Sequence, residues 1–370
     1  MKITCIDIHA VGVNQGGSWV FVQVHTDHSA ISGLGELNPS APRTACMTAL
    51  RQMEEVLKGR DPRRITAIVA DLASTALQRA QVHALSAIEQ ALWDILGKSL
   101  DAPLHALLGG RCRDEIRLYA NISRILIDST PEEFAGNAAR AVADGFDAVK
   151  IAPFANPRLR HDPTADIAHG IRCARAVRQQ IGPQIDLLVD CYGIFLEEQA
   201  WEIAAGLQDL DLFWFEEPVA DDNIAGYQAL KANCGMRLAG GERLMWRQSF
   251  WPLLEHQMMQ VVMPDVSVVG GISELMQVAA MAEARGVLTS PHGPFGPVIL
   301  AAQAQAMAAH PGFQILEYAW GQVPWRQDLI VPSETVVNGR LAVTEQPGLG
   351  IELNMEVVQA QRLEPVVIPS

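Results

Sequence analysis

Polar and apolar positions alternate with period two over Ile3–Val11 and again over Trp19–Thr26, the pattern of strands with differing faces. The loop Asn14–Ser18 joins them, and Ser32–Glu36 reads as a third short strand. The period then changes to that of helices over Thr44–Lys58, Arg63–Ala76 and Gln81–Gly97, the last with Leu85, Ile88, Leu92, Trp93 and Leu96 on one face. These elements predict a small α+β domain over residues 1–115.

From Ile116 short apolar runs alternate strictly with helical stretches. The runs end near Ala120, Pro153, Asp190, Glu217, Glu242, Asp265, His292 and Glu317, which predicts eight strands separated by seven helices over residues 116–330. Thr130-Pro131-Glu132-Glu133 is a helix start, with a capping hydroxyl, proline in the first turn and acids that suit the helix dipole. Residues 331–370 are too few for another domain and are expected to pack back on the first, with a hairpin turn at Asn338-Gly339. No Gly-x-Gly-x-x-Gly loop is present, so a closed parallel barrel is expected rather than an open doubly wound sheet.

Functional groups of such barrels sit at the C-terminal strand ends. Here those positions carry Lys150, Asp190, Glu216, Glu242, Asp265, His292 and Glu317, titratable groups on otherwise apolar strands. Equal intervals separate three of them, 216 − 190 = 26 and 242 − 216 = 26, a length that fits one strand, one helix and two loops. Parallel strands bring Asp190, Glu216 and Glu242 to one end of the sheet, where carboxylates repel unless a hard cation such as Mg²⁺ lies between them. Glu217 is an alternative to Glu216 on chemistry alone. His292 could be a fourth ligand, a structural residue or a general base, and the base is favoured, with Asp265 able to orient it through Nδ1. Lys150 is either a base or a grip for a substrate carboxylate, and Glu317 is expected to stay protonated and donate to a developing oxyanion. Trp214, Met245 and Met263 read as core or barrel lining, and Cys191 as packing.

Composition narrows the partners. The chain of 370 residues is 49% apolar and 19% charged with a formal net charge of −14, which argues against nucleic acid and against anionic lipid. A small-molecule carboxylate stays compatible, because a bound metal inverts the local field. Met1–Ile8 alternates from the start with no signal-peptide pattern, no apolar run spans a bilayer, and the six cysteines are scattered, so a cytoplasmic protein is expected.

The motifs resemble those of the enolase superfamily, in particular its mandelate racemase / muconate lactonizing enzyme group, over essentially the whole chain. They include Gly33–Glu36, Ser86–Ile95 with Leu107–Gly110, Phe213–Pro218 and Gly240–Arg243. Met263–Asp265 with Gly270–Ile272, Ser290–His292 and Pro347–Glu352 complete the set. The resemblance implies an N-terminal α+β capping domain over a modified TIM barrel, (β/α)7β, with one Mg²⁺ per subunit and a lysine or histidine base. It implies metal ligands at Asp190, Glu216 and Glu242, a His292–Asp265 dyad, Glu317 as electrophilic acid, and capping loops Val13–Trp19 and Asn38–Arg43, with Trp19 and Arg43 as candidate specificity contacts. Symmetric homo-oligomers are common among such barrels, though the sequence identifies no interface.

Two positions depart from the group. Ala152 stands where a second lysine base is usual, which weakens a two-base racemase. Asp190-Cys191-Tyr192 replaces the more usual Asp-x-Asn or Asp-x-His, making Tyr192 a candidate acid, base or hydrogen-bonding group. With one clear base, the expected reaction is dehydration of an acid sugar, aldonate or aldarate, through a metal-stabilised enediolate to a 2-keto-3-deoxy acid. A racemase or epimerase, a lactone cycloisomerase, and a non-catalytic sugar-acid-binding barrel are the alternatives.

Overall fold

The computed structural model describes residues 1–14, 17–76, 78–154 and 163–363. Gln15 and Gly16 of the expected Val13–Trp19 loop, and the end of the C-terminal segment from residue 364, lie outside the described residues.

The N-terminal strands β1 (Ile3–Gly12), β2 (Ser18–Thr26) and β3 (Ser32–Leu37) form an antiparallel meander. Alternation along β2 divides its side chains between two cores. Val20, Val22 and Val24 join the capping-domain core, while Trp19 and Phe21 join the barrel-side core. Helices α1 (Arg43–Leu57), α2 (Ile65–Ala73) and α3 (Arg79–Leu100) cover the sheet, and the short α4 (Leu104–Leu107) follows. The expected apolar stripe of α3 proves too narrow, since Ser86, Glu89, Gln90 and Asp94 are buried as well. The helix is sandwiched between β3 and the barrel, and its polar groups act as docking ligands. Gly35 makes the β3 contact fit, because a Cβ there would lie 1.9 Å from the Ala87 carbonyl oxygen on α3.

Eight parallel strands follow: β4 (Glu115–Asn121), β5 (Ala148–Ile151), β6 (Asp186–Asp190), β7 (Trp214–Glu216), β8 (Leu238–Gly240), β9 (Val261–Val262), β10 (Leu288–Thr289) and β11 (Leu316–Tyr318). Seven connecting helices lie between them: α5 (Pro131–Ala143), α6 (Pro163–Ile181), α7 (Glu197–Leu207), α8 (Ile224–Asn233), α9 (Trp246–Glu255), α10 (Ile272–Ala284) and α11 (Pro297–Ala308). β11 pairs with β4, and a parallel bridge between Thr289 and Phe313 closes the remaining seam. Thr130 caps α5 as expected, its hydroxyl accepting from Glu133 N at 3.2 Å.

Strand alternation also builds the site. Tyr119, Ala148, Leu188, Trp214, Met263 and Ile315 form a closed cluster inside the barrel. Two positions onward from each lie Asn121, Lys150, Asp190, Glu216, Asp265 and Glu317, on the same side and one layer nearer the mouth.

Two buried carboxylates of the capping domain dock onto barrel helices. Glu36 accepts from Gly296 N (2.7 Å) and Ile299 N (3.0 Å) at the start of α11. Glu89 accepts from Ile272 N (2.6 Å), Ser273 N (2.9 Å), Ser273 Oγ (2.5 Å) and Trp93 Nε1 (2.8 Å) at the start of α10. Such positions put a carboxylate at the positive end of a helix. Burial still raises each carboxyl to about 7, against the pull of the helix N–H donors. Gly271, at φ 98°, opens α10 in a left-handed conformation, and a Cβ there would lie 2.1 Å from Glu89 Oε2.

The C-terminal segment stitches both domains. The strands β12 (Ile330–Val331) and β15 (Glu352–Leu353) pair, and β13 (Val336–Val337) turns through Asn338 and Gly339 into β14 (Arg340–Ala342), which pairs with barrel strand β4. Beyond α12 (Met355–Ala360), Gln361 O accepts from Gly12 N at 2.9 Å, and Leu363 N donates to Ala10 O at 2.9 Å on β1. The segment therefore packs against the barrel as well as the capping domain, because the hairpin completes the open backbone edge of β4.

Candidate active site

Asp190 ends β6, Glu216 ends β7, and Glu242 stands two residues beyond β8. One carboxylate oxygen of each lies within 4.8 Å of the other two, and all three residues are buried. Oxygens about 2 Å from a shared Mg²⁺ lie at most about 4 Å apart, so the spacing suits one small hard cation after slight contraction. Glu242 Oε2 supplies a second test of fit, being buried with no hydrogen-bond partner among the described residues and facing the His292 imidazole at 3.2 Å. An acceptor in that position loses free energy unless something positive approaches it. Of the neighbouring acids, Glu216 is the one whose carboxylate lies in this trio. Glu217, at φ 41°, turns away from the trio and pairs with Arg243.

Lys150 Nζ lies among these acids, 2.5 Å from Glu216, 3.2 Å from Glu317 and 3.3 Å from Asp190. Burial alone would lower its pKa, but Glu216, Glu317 and Asp190 overcome that and hold it well above the usual lysine value. Glu216 moves the other way: burial and then Asp190 push its carboxyl well up. Its second oxygen accepts from Trp214 Nε1 at 2.8 Å, so Trp214 is barrel lining and also a donor to the site.

His292 Nδ1 lies 2.8 Å from Asp265 Oδ2. The other partners of Asp265 are all donors: Asn38 Nδ2 (3.2 Å), Ser267 N (2.8 Å) and Ser267 Oγ (2.6 Å). Asp265 is thus a pure acceptor, and His292 presents Nδ1–H to it, leaving Nε2 to face Glu242 Oε2 at 3.2 Å and Glu317 Oε2 at 3.7 Å. Burial lowers the imidazole pKa, while Glu242, Glu317 and Asp265 together raise it to about 9.

Glu317 departs from expectation. Burial raises its carboxyl, yet Lys150 and His292 outweigh burial, and with donors Asn121 Nδ2 (2.8 Å) and Gly293 N (3.2 Å) hold it at about 2. Its neighbours therefore favour the carboxylate, where the sequence led to an expected protonated acid.

Tyr192, at φ 56°, follows the trio's first acid, and its N–H donates to Asp190 Oδ1 at 2.8 Å. Burial, then Asp190, raises its phenol above the ordinary tyrosine value. Cys191 is fully buried and its thiol is pushed well up, as packing requires. The two expected specificity contacts lie on the capping domain. Trp19 is 0% exposed and packs its ring against Trp325 (5.8 Å) and beneath Arg326 (5.2 Å). Arg43 opens α1 half-buried, with no ion pair among the described residues.

Sequence reasoning passed over Asn38, Asn121, Ser267, Arg124 and Arg243. Two carried a signal: Asn121 occupies the end of β4 as the named acids occupy theirs, and Asn38 follows the Gly33–Glu36 motif.

Residues 133–357 match the family model described as enolase C-terminal domain-like, and residues 5–109 match the mandelate racemase / muconate lactonizing enzyme N-terminal domain. The chain belongs to the enolase superfamily. Its relatives within the superfamily include a D-gluconate dehydratase of Thermoproteus tenax, 33% identical over 95% of this chain and 71% of that protein. A D-galactonate dehydratase of Variovorax paradoxus is 32% identical over 99% of this chain and 96% of that protein. A solved mandelate racemase/muconate lactonizing enzyme from Jannaschia sp. CCS1 superposes with a TM-score of 0.88 at 32% identity, covering 99% of each chain. For a member of this superfamily, Ala152 is the conspicuous difference. It is buried just past β5, two positions from Lys150, and its methyl group can neither accept nor release a proton.

Proposed function

We propose that this protein is a Mg²⁺-dependent dehydratase of an acid sugar, an aldonate or aldarate, forming the 2-keto-3-deoxy acid. One observation carries the reading: His292, held through Nδ1 by Asp265, directs Nε2 toward Glu242 of the acidic trio at 3.2 Å. Relatives named D-gluconate and D-galactonate dehydratase support it.

Asp190, Glu216 and Glu242 would hold the ion. When bound, Mg²⁺ supplies positive charge that lowers the cost of placing negative charge on a substrate carboxylate. Asp265 keeps Nδ1 protonated, so the imidazole form that has lost its Nε2 proton, a minor form below pH about 9, presents there the lone pair that removes the proton on carbon 2. Lys150, always an ammonium here, meets the charge that passes onto the carboxylate. Glu317 acts as an anion that positions Lys150 and the imidazole. The carbon 3 hydroxyl departs with the proton that Nε2 now carries, water is released, and the enol product tautomerises to the 2-keto acid. Tyr192, kept protonated, donates a hydrogen bond to the substrate.

Epimerisation needs a second base on the opposite face. Ala152 offers none, and Lys150 is tied to Glu216, Glu317 and Asp190. The test is incubation of the purified protein and Mg²⁺ with hexonates, pentonates and hexarates, followed by semicarbazide detection of keto acids. His292→Asn should remove the signal; absence of any keto acid from the native protein would overturn the reading.

A further inference from the structure

A cation unaccounted for stands at the mouth of the barrel. Arg124 lies three residues past the end of β4, in the loop to α5, partly buried and without an ion-pair partner among the described residues. Its guanidinium carbon lies 5.5 Å from the centre of the Phe295 ring, and that ring meets the His292 ring edge-on at 5.3 Å. Arg124 is also among the charges that act on the Tyr192 phenol. β4 lies two strands from β6, which leads to Tyr192, and two from β10, which leads to Phe295. Arg124 therefore spans the mouth between loops from opposite sides. Asn14 of the capping domain fixes its backbone by donating to Arg124 O at 3.4 Å.

Arginine presents a rigid planar fork that fits a carboxylate, and one left unpaired beside a strongly acidic site is a ready anion receptor. The shared Phe295 ring sets an upper limit on the distance to be bridged. The two ring contacts, 5.5 and 5.3 Å, bound the separation of the guanidinium carbon from the imidazole centre at 10.8 Å. In a six-carbon diacid, four carbon–carbon bonds of about 1.5 Å separate carbon 2 from the far carboxyl carbon, about 5 Å in zigzag. A contact of about 3 Å at each end brings the reach to about 11 Å.

We propose that Arg124 binds the distal carboxylate of the substrate, which makes a six-carbon dicarboxylic sugar acid, a hexarate, the preferred class over the hexonate. The proposal rests on the acid-sugar reading above, but binding tests it apart from turnover. A primary alcohol at the far carbon cannot satisfy the guanidinium fork, so the hexonate forfeits a charge-assisted pair worth about ten- to hundredfold in affinity.

Titration calorimetry with the His292→Asn variant and Mg²⁺ compares hexarates with the hexonates of matching configuration, such as galactarate with galactonate and glucarate with gluconate. At least one hexarate should bind about tenfold or more tightly than its partner. Arg124→Met should erase that advantage while changing hexonate affinity less than about threefold, and Arg124→Lys should restore part of it. Equal affinities throughout each pair, or an Arg124→Met loss shared by both acids, would overturn the proposal. An intact hexarate preference with no turnover by the native protein would support Arg124 and strike the dehydratase reading alone.

Discussion

Asn38, from the capping domain, donates Nδ2 at 3.2 Å to the same Asp265 oxygen that receives His292 Nδ1. The imidazole proposed as general base is therefore oriented from outside the barrel. Asn38→Ala should lower kcat by about ten- to hundredfold with little change in KM, since partners that orient a catalytic imidazole contribute on that scale. Steady-state kinetics on any substrate found would check it; an unchanged kcat would show the Asp265–His292 pair to be held by Ser267 alone.

Interdomain docking makes a stability prediction. Glu89→Ala strips the acceptor from Ile272 N, Ser273 N, Ser273 Oγ and Trp93 Nε1 at a fully buried site. Unsatisfied buried donors cost about 1–3 kcal/mol each before relaxation. The variant should lose about 3 kcal/mol or more in denaturant unfolding, and a loss under about 0.5 kcal/mol would mean water replaces the carboxylate freely.

A pH effect should come from His83 on α3. Its ring is buried with both nitrogens unpartnered, and burial lowers its pKa to about 4, with Asp265 opposing and Arg79 assisting. The unfolded chain takes up a proton near the ordinary histidine value of 6.5, and the native state resists until about 4. Stability tied to this group is thus complete above pH 6.5 and is lost as pH falls toward 4. Relative to His83→Gln, the native protein should lose on the order of 3 kcal/mol across that window. Parallel curves for the two proteins would refute the assignment.

The acidic trio predicts dependence on a divalent ion without dependence of the fold. Chelation should abolish turnover, and Mg²⁺ should restore it. Far-UV dichroism should stay unchanged, because Lys150 already offsets charge at Asp190 and Glu216. Glu242→Gln should weaken Mg²⁺ binding about tenfold or more in calorimetry.

The period-two and period-3.6 patterns made the barrel legible. The regular spacing of Asp190, Glu216 and Glu242 marked strand ends because each closes an apolar run in a repeated unit. Burial of α3 on nearly all sides was not legible, since Ser86, Glu89, Gln90 and Asp94 look like a solvated face until their partners on other elements are known. The ionisation of Glu317 was equally hidden. It depends on Lys150 lying 3.2 Å away, a contact between β5 and β11 that no local pattern encodes. Trp19 was named from its loop, and the strand alternation that turns its ring onto Trp325 and beneath Arg326 was not legible there.

Glu36 and Glu89 also govern how a reactant reaches the interior. Swinging the lid as a clamshell would pull both carboxylates off the ends of α11 and α10 at once, stranding their amides. Any route inward must then leave both anchors in place, with the roof beams bolted down.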